Sequence, residues 1–283
     1  MPEPRRISFA RHAILLTFAA IALWPVLDVV SISLRPGNQL RTTNWQLIPD
    51  DWTLDSYKRL FTRESESDAM PVFVRWLLNS LLVSTAVTAT GVALAAIGGY
   101  AFSRFRFVGR GAMMTSILVT QMFPATMLLL PLYLMIAKLG LIDTYLGLCV
   151  FYASTALPFC VWQMKGFYDT IPASLEEAAR IDGCSRWQAF TKVILPLAVP
   201  GLVITALFSF MSAWSEYLVA AQILQEKEMF TLPLGLKSFQ ASMSTQWGLY
   251  AAASLLVSVP VVVVFVVLSK YLVSGLTLGS VKE

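Results

Sequence analysis

Charge is scarce in this chain. Asp, Glu, Lys and Arg make up only 13% of it, about half of the ~25% usual in soluble domains, which argues against an ordinary water-soluble globule. Histidine is almost missing: His12 stands alone, so no site is built from paired imidazoles. The three cysteines, Cys149, Cys160 and Cys184, are an odd number without metal-ligand spacing, and the first two fall in apolar runs. A disulfide framework and a cysteine metal centre are both excluded. The basic residues are scattered, so the net charge of +4 is no nucleic-acid signal. A G-x-x-x-x-G-K-[S/T] phosphate loop is absent throughout, so any ATP chemistry belongs to a separate protein. There is no internal repeat, no low-complexity tract beyond the valine-rich last apolar run, and no stretch between the apolar runs that would hold a soluble domain.

What the chain has instead is apolar length. It is 57% hydrophobic, with a mean hydropathy of +0.66. Six runs reach the ~20 residues a helix needs to cross a bilayer: Ala13–Leu34, Leu77–Gly99, Gly111–Ala137, Leu141–Met164, Leu197–Leu224 and Tyr250–Val273. The reading is an all-α, multi-pass integral membrane protein with six transmembrane helices, a single transmembrane domain over residues 1–283. Arg5, Arg6 and Arg11 precede the first span, and Arg104, Arg106 and Arg110 crowd the short loop after the second. The third-to-fourth connection holds only Lys138, offset by Asp143. The positive-inside rule then places the N-terminus in the cytoplasm, and six crossings return the C-terminus there. The basic residues of the long loop Arg35–Trp76 weigh little, because that loop is long and acid-balanced; its mixed charges, prolines and tryptophans read as a small ordered extramembrane loop. Ala20-Ile21-Ala22 imitates a signal-peptide cleavage site, but the apolar stretch runs on past it, against cleavage.

One polar, helix-forming segment interrupts this pattern: PASLEEAARIDG, Pro172 to Gly183. After four crossings it is cytoplasmic. Ser174 and Glu177 have the spacing of a capping box, and Gly183 fits the C′ position that ends a helix in a left-handed conformation. A second short stretch, Trp187 to Val193, carries Trp187 and Phe190 at helical spacing, an apolar face able to bury against a partner. Pro196 and Pro200 then open the fifth span, where a missing N–H matters least. A helix of two turns is marginal alone in water, so it needs a surface to pack on. Two readings stand: an ordinary structured loop, or a docking element for a cytoplasmic partner.

The spacing Glu177-Ala178-Ala179, Gly183, Val193, Leu195-Pro196 resembles the EAA loop of ABC importer permeases, with valine where the family usually has isoleucine. Tyr100-Ala101-Phe102-Ser103-Arg104-Phe105-Arg106-Phe107, Gln121-Met122-Phe123-Pro124, Lys165-Gly166-Phe167, Trp187-Gln188-Ala189-Phe190, Thr231-Leu232-Pro233 and the ending Gly275 to Lys282 resemble the carbohydrate branch, its maltose/maltodextrin (MalG-like) type in particular. The resemblance implies an inner-membrane permease without an ATPase site of its own, importing a sugar, maltose or maltodextrin first, with trehalose or a glycerol-phosphate compound as alternatives. It implies a second, MalF-like permease, two copies of a cytoplasmic ABC ATPase that bind ATP and Mg, and an extracytoplasmic sugar-binding protein; this chain itself binds no cofactor. Residues 172–196 would form the coupling loop, with Glu177, Ala178, Ala179, Arg180, Asp182, Gly183, Leu195 and Pro196 serving the ATPase contact. The outer loop Gln225–Gly248, with Gln240, Ser242, Ser244, Thr245 and Gln246, corresponds to one that meets the binding protein, or is a solvated connector.

Ionisable groups inside spans are functional suspects. Asp28 lies late in the first span and is either functional or solvated at the outer interface. Glu216, in Trp214-Ser215-Glu216-Tyr217, either sits among aromatics that stack on a sugar ring or belongs to an interfacial belt. Pro124 and Pro131 break the third span, which either lines the translocation path or is kinked by packing. Gly91, Ala95 and Gly99 repeat small residues every fourth position, the pattern of close helix contact. An ion-coupled secondary carrier is the rival class, but it usually carries inverted repeats and intramembrane ion ligands; a membrane scaffold that uses the loop only for docking is the other.

Overall fold

The computed structural model describes residues 5–41, 45–65, 68–240 and 245–278, and all its regular elements are helical. In order they are α1 (Arg5–Leu34), α2 (Asp55–Leu60), α3 (Val72–Arg104), α4 (Arg110–Thr120), α5 (Ala125–Lys138), α6 (Tyr145–Thr170), α7 (Ser174–Ile181), α8 (Arg186–Ala189), a π-helical turn (Phe190–Ile194), α9 (Leu195–Leu197), α10 (Val199–Ser215), α11 (Ala220–Ile223), a 3₁₀ turn (Lys227–Met229), α12 (Leu232–Ser238) and α13 (Trp247–Leu278). Helices are what apolar sequence must form in lipid, where each backbone N–H and C=O needs a partner within the segment. Four helices are long and apolar enough to cross a membrane, or five if the bent pair Arg186–Leu197 and Val199–Ser215 forms one span. The chain divides into two compact units, Met1–Val74 with Gly235–Val259, and Arg75–Leu234 with Pro260–Glu283.

In the first unit, the loop after α1 is ordered by polar contacts back to the helix end. Ser31 Oγ donates to Gln46 O at 2.6 Å, and Thr53 N donates to Leu34 O at 2.9 Å. Arg35 is buried; its guanidinium donates to Leu40 O at 2.6 Å and to Ser31 Oγ at 3.1 Å. Asp28 sits 3.6 Å from Arg35 and accepts from Trp45 Nε1 at 3.1 Å, while Trp45 stacks on Trp24 at 4.5 Å. Asp28 is thus a partly solvated residue at the helix end that fastens the loop. Asn38 clamps the backbone of Thr245 and Trp247, and Arg59 donates to Gln246 Oε1 at 3.0 Å. Ser242 and Ser244 of the expected binding-protein loop lie outside the described residues, as does the ending from Gly279.

In the second unit, α3, α6 and α10 pack at close range because their contact stripes are small. A Cβ on Gly99 would stand 2.7 Å from Met164 Cβ, one on Gly91 would stand 3.1 Å from Ser209 Oγ, and Ala95 between them is fully buried. From the far side, a Cβ on Gly201 would meet the Phe167 ring at 2.5 Å. The small-residue repeat is therefore helix packing. Near its start α3 also holds the segment before α12: Trp76 Nε1 donates to Lys227 O at 2.8 Å, Asn79 Nδ2 to Glu228 O at 2.8 Å, and Ser80 Oγ accepts from Leu232 N at 2.6 Å.

Two expected spans are interrupted. The third, Gly111–Ala137, is two helices, α4 and α5, separated at Gln121–Pro124. Pro124 offers no N–H and bars Phe123 from helical geometry, so the chain restarts with Pro124 as the N-cap of α5. The fifth, Leu197–Leu224, stops at Ser215, where Glu216 turns extended. At its entry α9 and α10 meet at Ala198, with a bend of 75°. Pro200 removes the N–H that Pro196 O would accept and crowds that carbonyl, the usual cause of a sharp kink.

Because no side-chain movement opens room at Gly99, Gly99→Val is expected to overpack the α3–α6 contact and cost about 1–3 kcal/mol; a lower melting temperature of the detergent-purified protein, against an unchanged value for an exposed control such as Leu94→Val, checks this.

Candidate functional site

The polar segment forms α7, but not as a capping box. Ala173 is the N-cap, Ser174 is already helical, and no side chain covers the first turn. Pro172 O and Ala173 O start the ladder instead, accepting from Leu175 N, Glu176 N and Glu177 N at 3.0–3.3 Å. With Ser174 inside the helix its hydroxyl no longer reaches the N3 amide, so Glu177 is left exposed and free of a cap. The box exists one helix later: Ser185 Oγ accepts from Gln188 N at 3.2 Å and Gln188 Oε1 accepts from Ser185 N at 2.8 Å. The end of α7 follows expectation. Gly183 has φ +88°, Cys184 N donates to Ala179 O at 3.0 Å and Gly183 N to Arg180 O at 3.1 Å, the paired bonds of a Schellman ending.

Of the residues expected in the ATPase contact, Glu177, Ala178, Arg180, Asp182 and Gly183 are exposed, with Ile181 at 86% beside them, and Ala179 is buried. Leu195 and Pro196 lie in α9, beyond the π turn, whose wider bonding carries the chain past the missing N–H of Pro196: Leu195 N reaches back to Phe190 O. The expected Trp187/Phe190 face is split. Phe190 is buried, its ring 4.4 Å from Tyr100, whereas Trp187 remains 61% exposed at 5.4 Å from Phe190. The two rings touch along one side of the helix, Phe190 in the core and Trp187 at its margin.

The residue that seats α7 is Glu176. Its carboxylate lies 3.2 Å from Arg104 Nε, off the ideal hydrogen-bond axis, and accepts from the Tyr100 hydroxyl. Both charged side chains are nearly buried, at 12% and 13% exposure. Arg104 Nη2 also donates to Ile171 O at 2.7 Å, just before α7, and Ser103 Oγ donates to Asp169 Oδ1 at 2.7 Å at the end of α6. The signal in the sequence was the doubled glutamate. Adjacent helical positions face different ways, and Glu176 shares the face of Ala179, three residues on. Beside this pair is a cleft of about 190 Å³ lined in part by Glu177, Arg180 and Arg186, with Arg186 over the Phe105 ring at 5.7 Å.

The candidates for the path divide. Pro124 and Pro131 are exposed. Trp214 is buried and stacks with Phe210 at 5.5 Å. Glu216 turns inward: it accepts from Val219 N at 3.0 Å and Ala220 N at 3.3 Å, and from Tyr152 Oη at 2.7 Å. The carboxylate caps α11 and ties it to α6. Asp143, read only as a loop charge, covers backbone amides beyond α11, accepting from Gln225 N at 2.9 Å and Glu226 N at 3.4 Å. Glu216→Ala is expected to lower stability by about 1–3 kcal/mol through the uncovered amides and hydroxyl, measured as thermal melting in detergent, with Glu216→Gln retaining part of the loss.

Residues 70–277 match the family of binding-protein-dependent transport system inner membrane components. The chain is 37% identical to the maltose/maltodextrin transport system permease protein MalG of Yersinia pestis over 294 residues, covering 99% of this chain and 96% of the relative. It is 37% identical to MalG of Escherichia coli K12 over 287 residues, covering 97% and 95%. Among solved structures, it resembles a chain of a bacterial ABC transporter involved in the import of the acidic polysaccharide alginate, with a TM-score of 0.78, 27% identity and coverage of 96% and 99%. The chain belongs to the family of inner membrane components of binding-protein-dependent transport systems, as a multi-pass permease of the ABC importer type.

Proposed function

We propose that this chain is one permease half of a carbohydrate importer and that its sugar is maltose or a maltodextrin. The full-length likeness to two MalG permeases supports maltodextrin over trehalose or a glycerol-phosphate compound, and the likeness to an alginate importer keeps the substrate among saccharides. In this reading residues 1–283 form one transmembrane domain that crosses the bilayer six times with both termini in the cytoplasm. The third crossing is made by α4 and α5 together, and the exposed prolines Pro124 and Pro131 border the path, while Trp214 and Glu216 shape its wall from behind. The partners are a second, MalF-like permease, two ABC ATPases holding ATP and Mg, and a sugar-binding protein outside. This chain holds no cofactor. Transport is a population shift between two states, driven by what ATP binding does to the ATPases.

The observation that carries the reading is the free face of α7. Glu177, Ala178, Arg180 and Asp182 stand exposed on a helix closed at Gly183 and seated by Glu176. A short helix so held transmits a displacement that a loose loop would absorb. Residues 172–196 then form the coupling loop, with Ala179, Leu195 and Pro196 as its support.

Glu177→Ala is expected to remove a charge-assisted contact of about 1.5–3 kcal/mol and so to release or uncouple the ATPase while membrane insertion stays normal. Gly183→Pro is expected to do the same, since proline does not adopt φ +88°. Co-purification of the ATPase and ATP-driven maltose uptake in proteoliposomes measure both effects; normal uptake in both variants refutes the docking role. Removing the last eight residues is expected to change the ATPase rate of the complex, and an unaltered rate rules the tail out of that contact.

A further inference from the structure

The ion pair between Glu176 and Arg104 joins two elements far apart in the chain at almost full burial. Such a pair is poor evidence for stability, because desolvating two charges offsets most of their attraction; its best-attested role is to fix one arrangement over others. Here the arrangement is specific. Arg104 is the last residue of α3. It holds the carboxylate inside α7 and the carbonyl of Ile171 ahead of α7, so it grips the helix on both sides of Pro172. Tyr100, one turn back on α3, donates to the same carboxylate and packs on Phe190, beyond α7. Four contacts from one helix end therefore reach the segment before α7, α7 itself and the segment after it. The upstream part of α3 carries Gly91 against Ser209 of α10 and Gly99 against Met164 of α6, with buried Ala95 between them.

We propose that Glu176 is a positioning residue that latches α7 to the end of α3 through Arg104 and Tyr100, so that a load on the exposed face of α7 reaches the membrane helices through α3. The latch and the docking face are different residues: Glu177 meets the partner and Glu176 carries the movement inward. This rests on the coupling-loop reading of α7 given above.

The test uses the full complex in nanodiscs, with spin labels at Ser174 on α7 and at Val108 in the exposed turn after α3. The distance between them is measured without nucleotide and after trapping with ATP and vanadate. In the otherwise native complex, one narrow distance is expected in both states. In Glu176→Gln and Arg104→Gln the ATPase is expected to remain bound and to hydrolyse ATP, while trapping splits the distance into two. The exchange Glu176→Arg with Arg104→Glu is expected to restore the single distance, which a simple loss of bulk or polarity would not allow. An unchanged narrow distance in Glu176→Gln overturns the latch, and so does loss of the ATPase from that variant, which would make Glu176 a docking contact. If Glu176→Gln fails to reach the membrane, the exchange variant decides: a single distance supports the latch, and two distances or no assembly overturn it. Normal ATPase binding and uptake in Glu177→Ala strike the underlying coupling-loop reading, whereas a defect there beside an unaltered Glu176→Gln strikes the latch alone.

Discussion

A guanidinium at the end of a membrane helix has to be neutralised or reach water, and Arg104 does the first. Its partners are the Ile171 carbonyl and the Glu176 carboxylate, the second supplied by the polar segment that would otherwise hang between two apolar spans. Much about that segment follows. With Glu176 drawn in, Ala179 faces the protein and Glu177 faces out. With Phe190 buried against Tyr100, α8 and the π turn continue directly into α9. The two-turn helix, too short to persist in water, is held by a charge pair and an aromatic contact rather than by its own propensity.

Proline sets the other local rules. Two of the breaks coincide with one: Pro124 at the restart of α5 and Pro200 at the bend. In lipid such a break survives only where other protein groups or water take up the freed carbonyls. The extended residue Glu216 follows the same logic with a side chain, since its carboxylate covers amides at the start of α11 that no preceding turn supplies. Polar residues inside the apolar runs therefore mostly serve the backbone. Asp28 instead serves side chains, holding Trp45 and Arg35 near the end of α1.

Apolar length made the helical class and most spans legible, because a run of ~20 apolar residues admits little else. The ending of α7 at Gly183 was legible for a similar reason: a left-handed residue there has one common identity. The start of α7 was not. Ser174 and Glu177 satisfied the spacing of a capping box, but spacing does not say which residue is the first helical one, and Ala173 took the cap. Glu176 was hidden beside Glu177 because its partners, Tyr100 and Arg104, are distant in sequence, and only the fold brings them within reach. The packing of Trp214 and Glu216 was hidden for another reason. Aromatics beside an acid are common to sugar sites and to packed turns alike, and the burial that separates the two is a tertiary property.

The 75° bend at Ala198 has a mechanical consequence. A straight rod passes on a push along its length. In a rod bent nearly to a right angle, a thrust along one arm arrives at the other mainly as a sideways sweep. The arm of Arg186–Leu197 and the arm of Val199–Ser215 thus form a crank, with the proline-flanked joint as its corner. A push along one arm and a tilt of the other are, in this geometry, the same movement.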